Sequence, residues 1–214
     1  MMKYKHLIFD FDGVLVESNE IRFEGFQLLF RDYPVPQIEK LVQFARLNGG
    51  LSRYEKIRYF FEAILNKHIS EDAIQILTKQ YSKLVKQKII EANFVNGALD
   101  FLFRYYNDCN FAIVSGSDQE ELREVCQVRK ISHFFVEVLG SPASKESNLA
   151  LLMTKTGWGR GDSLFIGDSI NDLNAALTCG IDFIGRNSGL VDWSRINNSV
   201  VFIDDISQLY LHLE

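Results

Sequence analysis

Proline, cysteine, methionine, histidine and tryptophan are all scarce in this 214-residue chain, at three, three, three, four and two copies. The three cysteines (Cys109, Cys126, Cys179) are odd in number and show no Cys-x-x-Cys spacing. That excludes a zinc knuckle or a disulfide framework and predicts reduced, structural thiols. His6, His68, His133 and His212 form no ligand cluster and read as surface or packing residues. No apolar run approaches the roughly 20 residues of a membrane span. The N-terminal stretch reaches the charged Asp10 too soon for a secretory leader. The expectation is a cytoplasmic chain with no membrane partner. A basic surplus is missing as well: 28 acidic residues face 23 basic ones, for a net charge of -5. Such a balance argues against a nucleic-acid partner. Arg160-Gly161-Asp162 spells an adhesion tripeptide and Asn197-Asn198-Ser199 a glycosylation acceptor. Without a leader both are read as chance matches.

What is present is ordinary for a globular protein: 47% hydrophobic and 24% charged residues, with 17 Phe and 8 Tyr to fill a core. A chain of this length buries roughly 70% of its unfolded surface and needs no covalent staples. Residues 5–10, Lys-His-Leu-Ile-Phe-Asp, form a short apolar run that ends in an acid, the pattern of a buried parallel strand delivering a carboxylate to its C-terminal edge. The pattern recurs at 110–116, ending in Ser115-Gly116, and at 163–168, ending in Gly167-Asp168. Residues 181–185 and 200–204 make two more such runs. Helical stretches at about 96–107, 117–128, 145–156 and 170–179 separate them. Alternating strand and helix predict an α/β fold, a Rossmann-like parallel sheet with helices on both faces.

Residues 16–92 break that rhythm. Ile38, Leu41, Val42 and Ala45 recur at helical spacing, as do Tyr54, Ile57, Phe61, Ile64 and Leu65, then Ile74, Leu77, Tyr81 and Leu84. Pro34 and Pro36 separate the first helix from the second, and Asn48-Gly49-Gly50 the second from the third. The reading is a small all-helical cap, 16–92, inserted after the first strand of a core made from 1–15 and 93–214.

Ligands of open parallel sheets bind beyond the carboxyl ends of the strands. There the sequence places Asp10, Asp12, Ser115, Asp168 and Asp172, with Lys145 opening a helix between strands. Carboxylates gathered that closely repel one another unless a divalent cation lies among them, and hard oxygen ligands suit Mg²⁺. The metal, Lys145, the Ser115 hydroxyl and the backbone N–H groups of glycine turns would together suit phosphate. A carboxylate can act as nucleophile in phosphoryl transfer, with a second one as its acid and base. Asp10 and Asp12 lie two apart and so face one side of a regular strand, and Gly13 allows the chain to bend sharply after them.

These stretches also carry a resemblance. Asp10-Phe11-Asp12-Gly13-Val14-Leu15, Ser115 on its apolar strand, Lys145, and Gly167-Asp168-Ser169-Ile170-Asn171-Asp172 are similar, in order and context, to the four signature motifs of the haloacid dehalogenase superfamily. The resemblance spans essentially the whole chain, and the helical insertion resembles the cap of the phosphoglycolate phosphatase and β-phosphoglucomutase subgroup. It implies Asp10 as nucleophile and metal ligand, and Asp12 as general acid and base with its carbonyl as a second ligand. It further implies Asp168 as a direct Mg²⁺ ligand, with Asp172 holding the metal's water or steadying Lys145. Ser115 and Gly116 would grip a phosphoryl oxygen, and Lys145 would neutralise charge between Asp10 and the phosphate.

Plainer readings stand beside these. Asp168 and Asp172 also fit a helix cap and first-turn acid, Ser115 a helix cap, and Lys155 offers an alternative alignment to Lys145. The loop Asn48-Gly49-Gly50-Leu51-Ser52-Arg53 resembles the stretch with which the mutase branch reads a second phosphate, which would put Arg53 on the substrate. A capping box from Ser52 to Glu55 explains it as well. Arg22 stands where the mutase branch has His, and Glu17-Ser18 where relatives have Asp-Ser; both depart from a mutase. Arg22 reads as a surface residue, with an acidic substrate as its other use. The expectation is a Mg²⁺-dependent phosphomonoester hydrolase acting on a small phosphorylated metabolite (a sugar phosphate or phosphoglycolate-like), monomeric or a weak homodimer. The rivals are a sugar-phosphate mutase, a 2-haloacid dehalogenase and a phospho-receiver module.

Overall fold

A computed structural model describes residues 2–196 and 200–213; the Asn197-Asn198-Ser199 triplet lies outside the described residues. Six parallel strands make one sheet: β1 (His6–Phe9), β2 (Asn110–Asp118), β3 (Phe135–Ser141), β4 (Ser163–Gly167), β5 (Asp182–Arg186) and β6 (Phe202–Ile203), in spatial order β3-β2-β1-β4-β5-β6. β1 therefore sits centrally, with Phe9 in register with Ile113 on one side and Ile166 on the other.

Parallel strands covered on both faces read as unbroken apolar runs because neither face meets water. Leu7 and Phe9 point into the larger core with Phe111, Ile113 and Ile166. Ile8 joins Ala112, Val114 and Phe165 on the opposite face, under Leu149, Leu152, Ala175 and Ala176. Those last four belong to α7 (Lys145–Thr156) and α8 (Ile170–Cys179). α5 (Ala98–Tyr105) and α6 (Gln119–Val128) cover the larger face. The cysteines are free thiols, and the carboxyl end closes with a 3₁₀ turn at Ile206–His212.

Between β1 and α5 the chain forms an insertion of four α-helices: α1 (Asn19–Leu29), α2 (Val35–Leu47), α3 (Arg53–Tyr59), which runs on into a π-turn at Phe60–Ile64, and α4 (Glu71–Glu91). Their core is aromatic. Phe30 stacks on Phe60 with centroids 4.1 Å apart, and Phe26 lies 4.6 Å from Tyr81. The two chain crossings hydrogen-bond to each other: the Glu17 N–H donates to the Asn93 carbonyl at 2.9 Å and the Val95 N–H to the Leu15 carbonyl at 3.0 Å. Arg129, just past α6, donates to the carbonyls of Ile89, Ile90 and Ala92 at 2.7–3.0 Å, supplying acceptors at the end of α4 with the partner they lack within the helix.

Three sequence expectations need correction. β3 was not foreseen, because Phe-Val-Glu-Val-Leu-Gly-Ser alternates, with Glu137 within it and Val136 half exposed, as an edge strand does. β2 continues past Ser115 to Asp118, so α6 begins at Gln119 with Asp118 as its cap. Pro36 does not separate helices. Pro34 caps α2 and Pro36 sits in its first turn, where a missing N–H costs nothing.

Candidate active site

β1 ends at Phe9, and the next residue, Asp10, donates its N–H to the Ile166 carbonyl at 2.9 Å, which holds its side chain at the sheet rim. Asp10 is 4% exposed. Its Oδ1 accepts the Phe11 N–H at 2.7 Å and its Oδ2 accepts from Lys145 Nζ at 2.8 Å. Lys145 is the first residue of α7 and also pairs with Asp172 Oδ1. The remaining oxygen of Asp172 accepts the Ser169 N–H at 3.0 Å, the Asp168 N–H at 3.2 Å and the Ser169 hydroxyl at 2.6 Å, completing a capping box at the start of α8. Capping and charge pairing thus use different oxygens of one carboxylate, and Lys155 is occupied elsewhere, on Glu137.

Gly13 makes the turn possible. Its φ is +72°, and a Cβ there would collide with Asp168 Oδ2 and with the amide of Asn19. Asn19, the first residue of α1, donates to that same Asp168 oxygen at 2.7 Å. Arg186, at the end of β5, braces the turn by donating to the Gly13 carbonyl at 3.2 Å and pairing with Glu17 at 2.6 Å. Neither contact was foreseen; an Asn opening a helix carries no chemical signal in sequence.

The carboxylates of Asp10, Asp168 and Asp172 each place an oxygen within 4.8 Å of the others. Burial first, and mutual repulsion second, push Asp168 up to about 7. Burial likewise lifts Asp10 above the ordinary carboxylate range, against the pull of Lys145. Three buried acids short of positive charge are the donor set a hard divalent cation needs, so the residues fit Mg²⁺. Asp12 is expected as a ligand through its backbone carbonyl, and its carboxylate lies apart from this cluster. Its oxygens accept from Arg22 Nε at 2.9 Å and from the Ser18 and Ser117 hydroxyls. Burial alone would raise Asp12, but Arg22 and the two hydroxyls outweigh it and hold the group ionised below its usual range.

Arg22 is accordingly not a surface residue. It is 9% exposed and bridges Asp12 to Glu121 of α6, 2.6 Å away. Arg53, expected on a substrate, caps the same carboxylate at 2.6 and 2.9 Å and bonds Ser82 at 2.6 Å, while the Ser52–Glu55 capping box forms beside it. Glu121 was missed because it looks like any first-turn helix acid. Two arginines outweigh its burial and hold it well below the usual carboxylate range.

A small cavity of about 40 Å³ lies between these groups, walled by Asp10, Asp12, Ser115, Gly116, Arg22 and Lys56 among others. Gly49 and Leu51 also line it, and Gly50 between them packs on the sheet rim, where a Cβ would come within 2.7 Å of Ser169 Oγ and 3.2 Å of Lys145 Nζ. The structure therefore brings Asp10, Asp12, Ser115, Gly116 and Arg53 to one cavity, with Lys145, Asp168 and Asp172 against its rim.

A doubly covered parallel sheet with a carboxylate-bearing rim and a helical insertion between its first two strands defines a Rossmann-like α/β class. The chain belongs to the haloacid dehalogenase-like hydrolase family, whose pattern it matches over residues 7–186. It is 28% identical, over the full length of both chains, to a protein named phosphoglycolate phosphatase from Pasteurella multocida. Among solved structures it resembles CbbY from Rhodobacter sphaeroides in complex with phosphate (15% identity, TM-score 0.77, 98% of this chain and 96% of the other). It also resembles the HAD-hydrolase YfnB from Bacillus subtilis bound to magnesium (17% identity, TM-score 0.71, 99% of each).

Proposed function

We propose that the chain is a Mg²⁺-dependent phosphomonoester hydrolase for a small phosphorylated metabolite, working through an aspartyl-phosphate on Asp10. The observation that carries this reading is the pairing of Asp10 with Lys145 at 2.8 Å, beside Ser115 and two further buried acids. The phosphatase name of the Pasteurella relative and the magnesium and phosphate of the two structural neighbours support it.

Asp10, Asp168 and the Asp12 carbonyl would hold the ion, which when bound offsets the charge of carboxylates and phosphoryl group together. Asp172 is fully engaged by Lys145 and by the cap of α8, so its role is to steady the lysine. Lys145 keeps Asp10 ionised and aimed, although burial opposes the charge. A carboxylate oxygen of Asp10 attacks phosphorus as the bond to the leaving alkoxide breaks, and Ser115 with the Gly116 N–H receives the phosphoryl oxygens. Asp12 protonates the leaving alkoxide and later takes the proton of the attacking water. Ionised against Arg22, Asp12 is set for the second of these tasks. The first requires a proton, and Arg22 belongs to the inserted helices, so its approach and withdrawal with that segment would set the state of Asp12. Residues 16–92 act as the lid over a core of 1–15 and 93–214, since a cavity of about 40 Å³ admits only a few waters until they move. No helix of the described residues is long and apolar enough to cross a membrane, and a net charge of -5 fits a small-molecule partner in the cytoplasm.

Asp10→Asn tests the assignment. Hydrolysis of p-nitrophenyl phosphate with Mg²⁺ should fall by about 10³-fold or more, with an unchanged circular dichroism spectrum. Retention of more than about a few per cent of activity would remove Asp10 as nucleophile. Release of inorganic phosphate, rather than transfer to a bisphosphate, separates the hydrolase from a mutase.

A further inference from the structure

Arg22 lies on α1, lines the cavity beside Asp10, Asp12, Ser115 and Gly116, and uses only part of its guanidinium. Nε donates to Asp12 Oδ1 at 2.9 Å and Nη1 to Glu121 Oε1 at 2.6 Å. Nη2 is buried without a hydrogen-bond partner among the described residues. Asp12 does not take it as well, because its second oxygen accepts from the Ser117 hydroxyl. The neighbouring cations of the insertion are spent: Arg53 donates to Glu121 and Ser82, and Lys56 to the Gly49 carbonyl at 3.2 Å. A buried donor without an acceptor costs about 1–3 kcal/mol, and more when it belongs to a charged group. The guanidinium cannot turn away to relieve that cost. Asp12 and Glu121 hold two of its nitrogens, and the Tyr81 hydroxyl of α4 donates to the Arg22 carbonyl at 2.7 Å. Both anchoring carboxylates belong to the core, so they define where Arg22 stands each time the insertion closes.

A guanidinium is planar, and its Nε–H and one Nη2–H leave the same edge in parallel. With Nε on Asp12 Oδ1, Nη2 therefore addresses a point beside that oxygen. In the phosphatase reading, Asp12 meets the bridging oxygen of the ester. On one side of that oxygen every phosphomonoester has phosphorus with its own oxygens, and on the other a carbon, which accepts no hydrogen bond. We propose that Arg22 Nη2 donates to a non-bridging oxygen of the transferring phosphoryl group, which makes Arg22 a catalytic residue delivered by the inserted helices. This rests on the phosphatase reading above and deepens it, and it holds whatever the leaving group. Lys145 approaches Asp10 from the sheet rim, and Arg22 brings a second positive charge from the insertion. As the bond from Asp10 to phosphorus forms and the bond to the leaving alkoxide breaks, charge spreads over the three remaining phosphoryl oxygens, and a fixed donor there stabilises the transition state. Glu121 acts through Arg22, as the residue that positions it.

The test separates contact with the phosphoryl group from help given through Asp12. Two esters are compared in the presence of Mg²⁺: p-nitrophenyl phosphate, whose leaving group departs without a proton, and ethyl phosphate, whose leaving group needs one. Arg22→Lys keeps a positive charge between Asp12 and Glu121 but loses the fork, and Arg22→Gln loses both. Each variant should lower kcat/KM for both esters, by about tenfold or more in Arg22→Lys and by about a hundredfold or more in Arg22→Gln. Asp12→Asn, as the comparison, should harm ethyl phosphate far more than the aryl ester. Calorimetry with Mg²⁺ and orthovanadate, a mimic of the phosphoryl group in flight, should show binding weakened by about tenfold or more in Arg22→Lys. Hydrogen exchange of α1 and α3 should stay as in the wild type, and where Arg22→Gln fails to fold, Arg22→Lys carries every comparison. An aryl ester hydrolysed at the wild-type rate by Arg22→Lys, or vanadate bound by it as tightly as before, would overturn the contact. Losses that come only with faster exchange of α1 and α3 would overturn it too, assigning Arg22 to holding the insertion closed. Hydrolysis of neither ester by the wild type would sink the phosphatase reading, and the vanadate comparison would still decide whether Arg22 meets phosphoryl oxygens.

Discussion

Two buried charge clusters face each other across the cavity, and they are near mirror images in sign. On the sheet rim, Lys145 pairs with Asp10 and Asp172, and Asp168 beside them has no cation at ion-pair distance among the described residues. On the insertion side, Arg22 and Arg53 share the carboxylate of Glu121 and Arg22 also reaches Asp12, while Lys56 has no carboxylate at ion-pair distance among the described residues. Burying ionised groups costs several kcal/mol each unless they are paired, so neither side is balanced within itself. The rim lacks positive charge and the insertion lacks negative charge. A divalent cation against the first and an anionic ester against the second would complete both, and would hold the two parts of the chain together in doing so.

The strongest way to break this symmetry is to remove Glu121. Glu121→Ala leaves the buried Arg53 guanidinium without an anion and Arg22 with Asp12 alone, and should cost about 3–5 kcal/mol. That is a fall in Tm of roughly 10 °C for a chain of this size, read by calorimetry. Glu121 titrates below the ordinary carboxylate value, so its contribution is complete above that value and is lost only as pH falls through the depressed one. The contact should therefore survive mild acid.

Next comes the rim. Asp168 titrates near 7, far above an unfolded aspartate, so the folded chain without metal holds the extra proton across that interval. In EDTA its stability should decline as pH rises from about 4 to about 7. Mg²⁺ at about a hundred times its Kd should add about 2.7 kcal/mol at neutral pH and flatten that decline. Asp168→Asn should abolish the Mg²⁺ effect on Tm, and a mutant that still responds fully would place the ion elsewhere.

Lys56 gives a smaller effect of opposite sign. Its folded value lies below the unfolded one, so burying it is a penalty at neutral pH that fades as pH rises toward the unfolded value. Lys56→Met should raise stability by about 1–2 kcal/mol at pH 7 and by less near pH 10, measured by urea denaturation. A loss of stability at pH 7 would mean that the ammonium is better paired than its surroundings indicate. The smallest effect belongs to the surface. The Arg46–Glu20 pair is 2.5 Å long but solvent-exposed on both sides, and Arg46→Ala should change stability by less than about 1 kcal/mol.

The two clusters also differ in how plainly the sequence showed them. The rim was legible: Asp10, Ser115, Lys145, Asp168 and Asp172 all come at or near the ends of apolar runs or the starts of helices, where the chain order of a parallel sheet forces them to one edge. The insertion side was not. Arg22, Lys56 and Glu121 lie on amphipathic helices among many similar charges, and nothing in periodicity separates a buried Arg from a solvated one. β3 escaped for a related reason, since an edge strand keeps polar residues on its open side.

By itself, the sequence determined the alternating α/β plan, the helical interruption after the first strand and the identity of the rim acids, because these follow from short-range pattern and from the order in which strands reach an edge. Only the tertiary structure decided that Asp12 turns to Arg22, that Arg53 is consumed by Glu121, and that Lys56 is left without a partner. Those outcomes depend on how helices far apart in sequence set their side chains against one another, and pairing among buried charges is a property of distance in space.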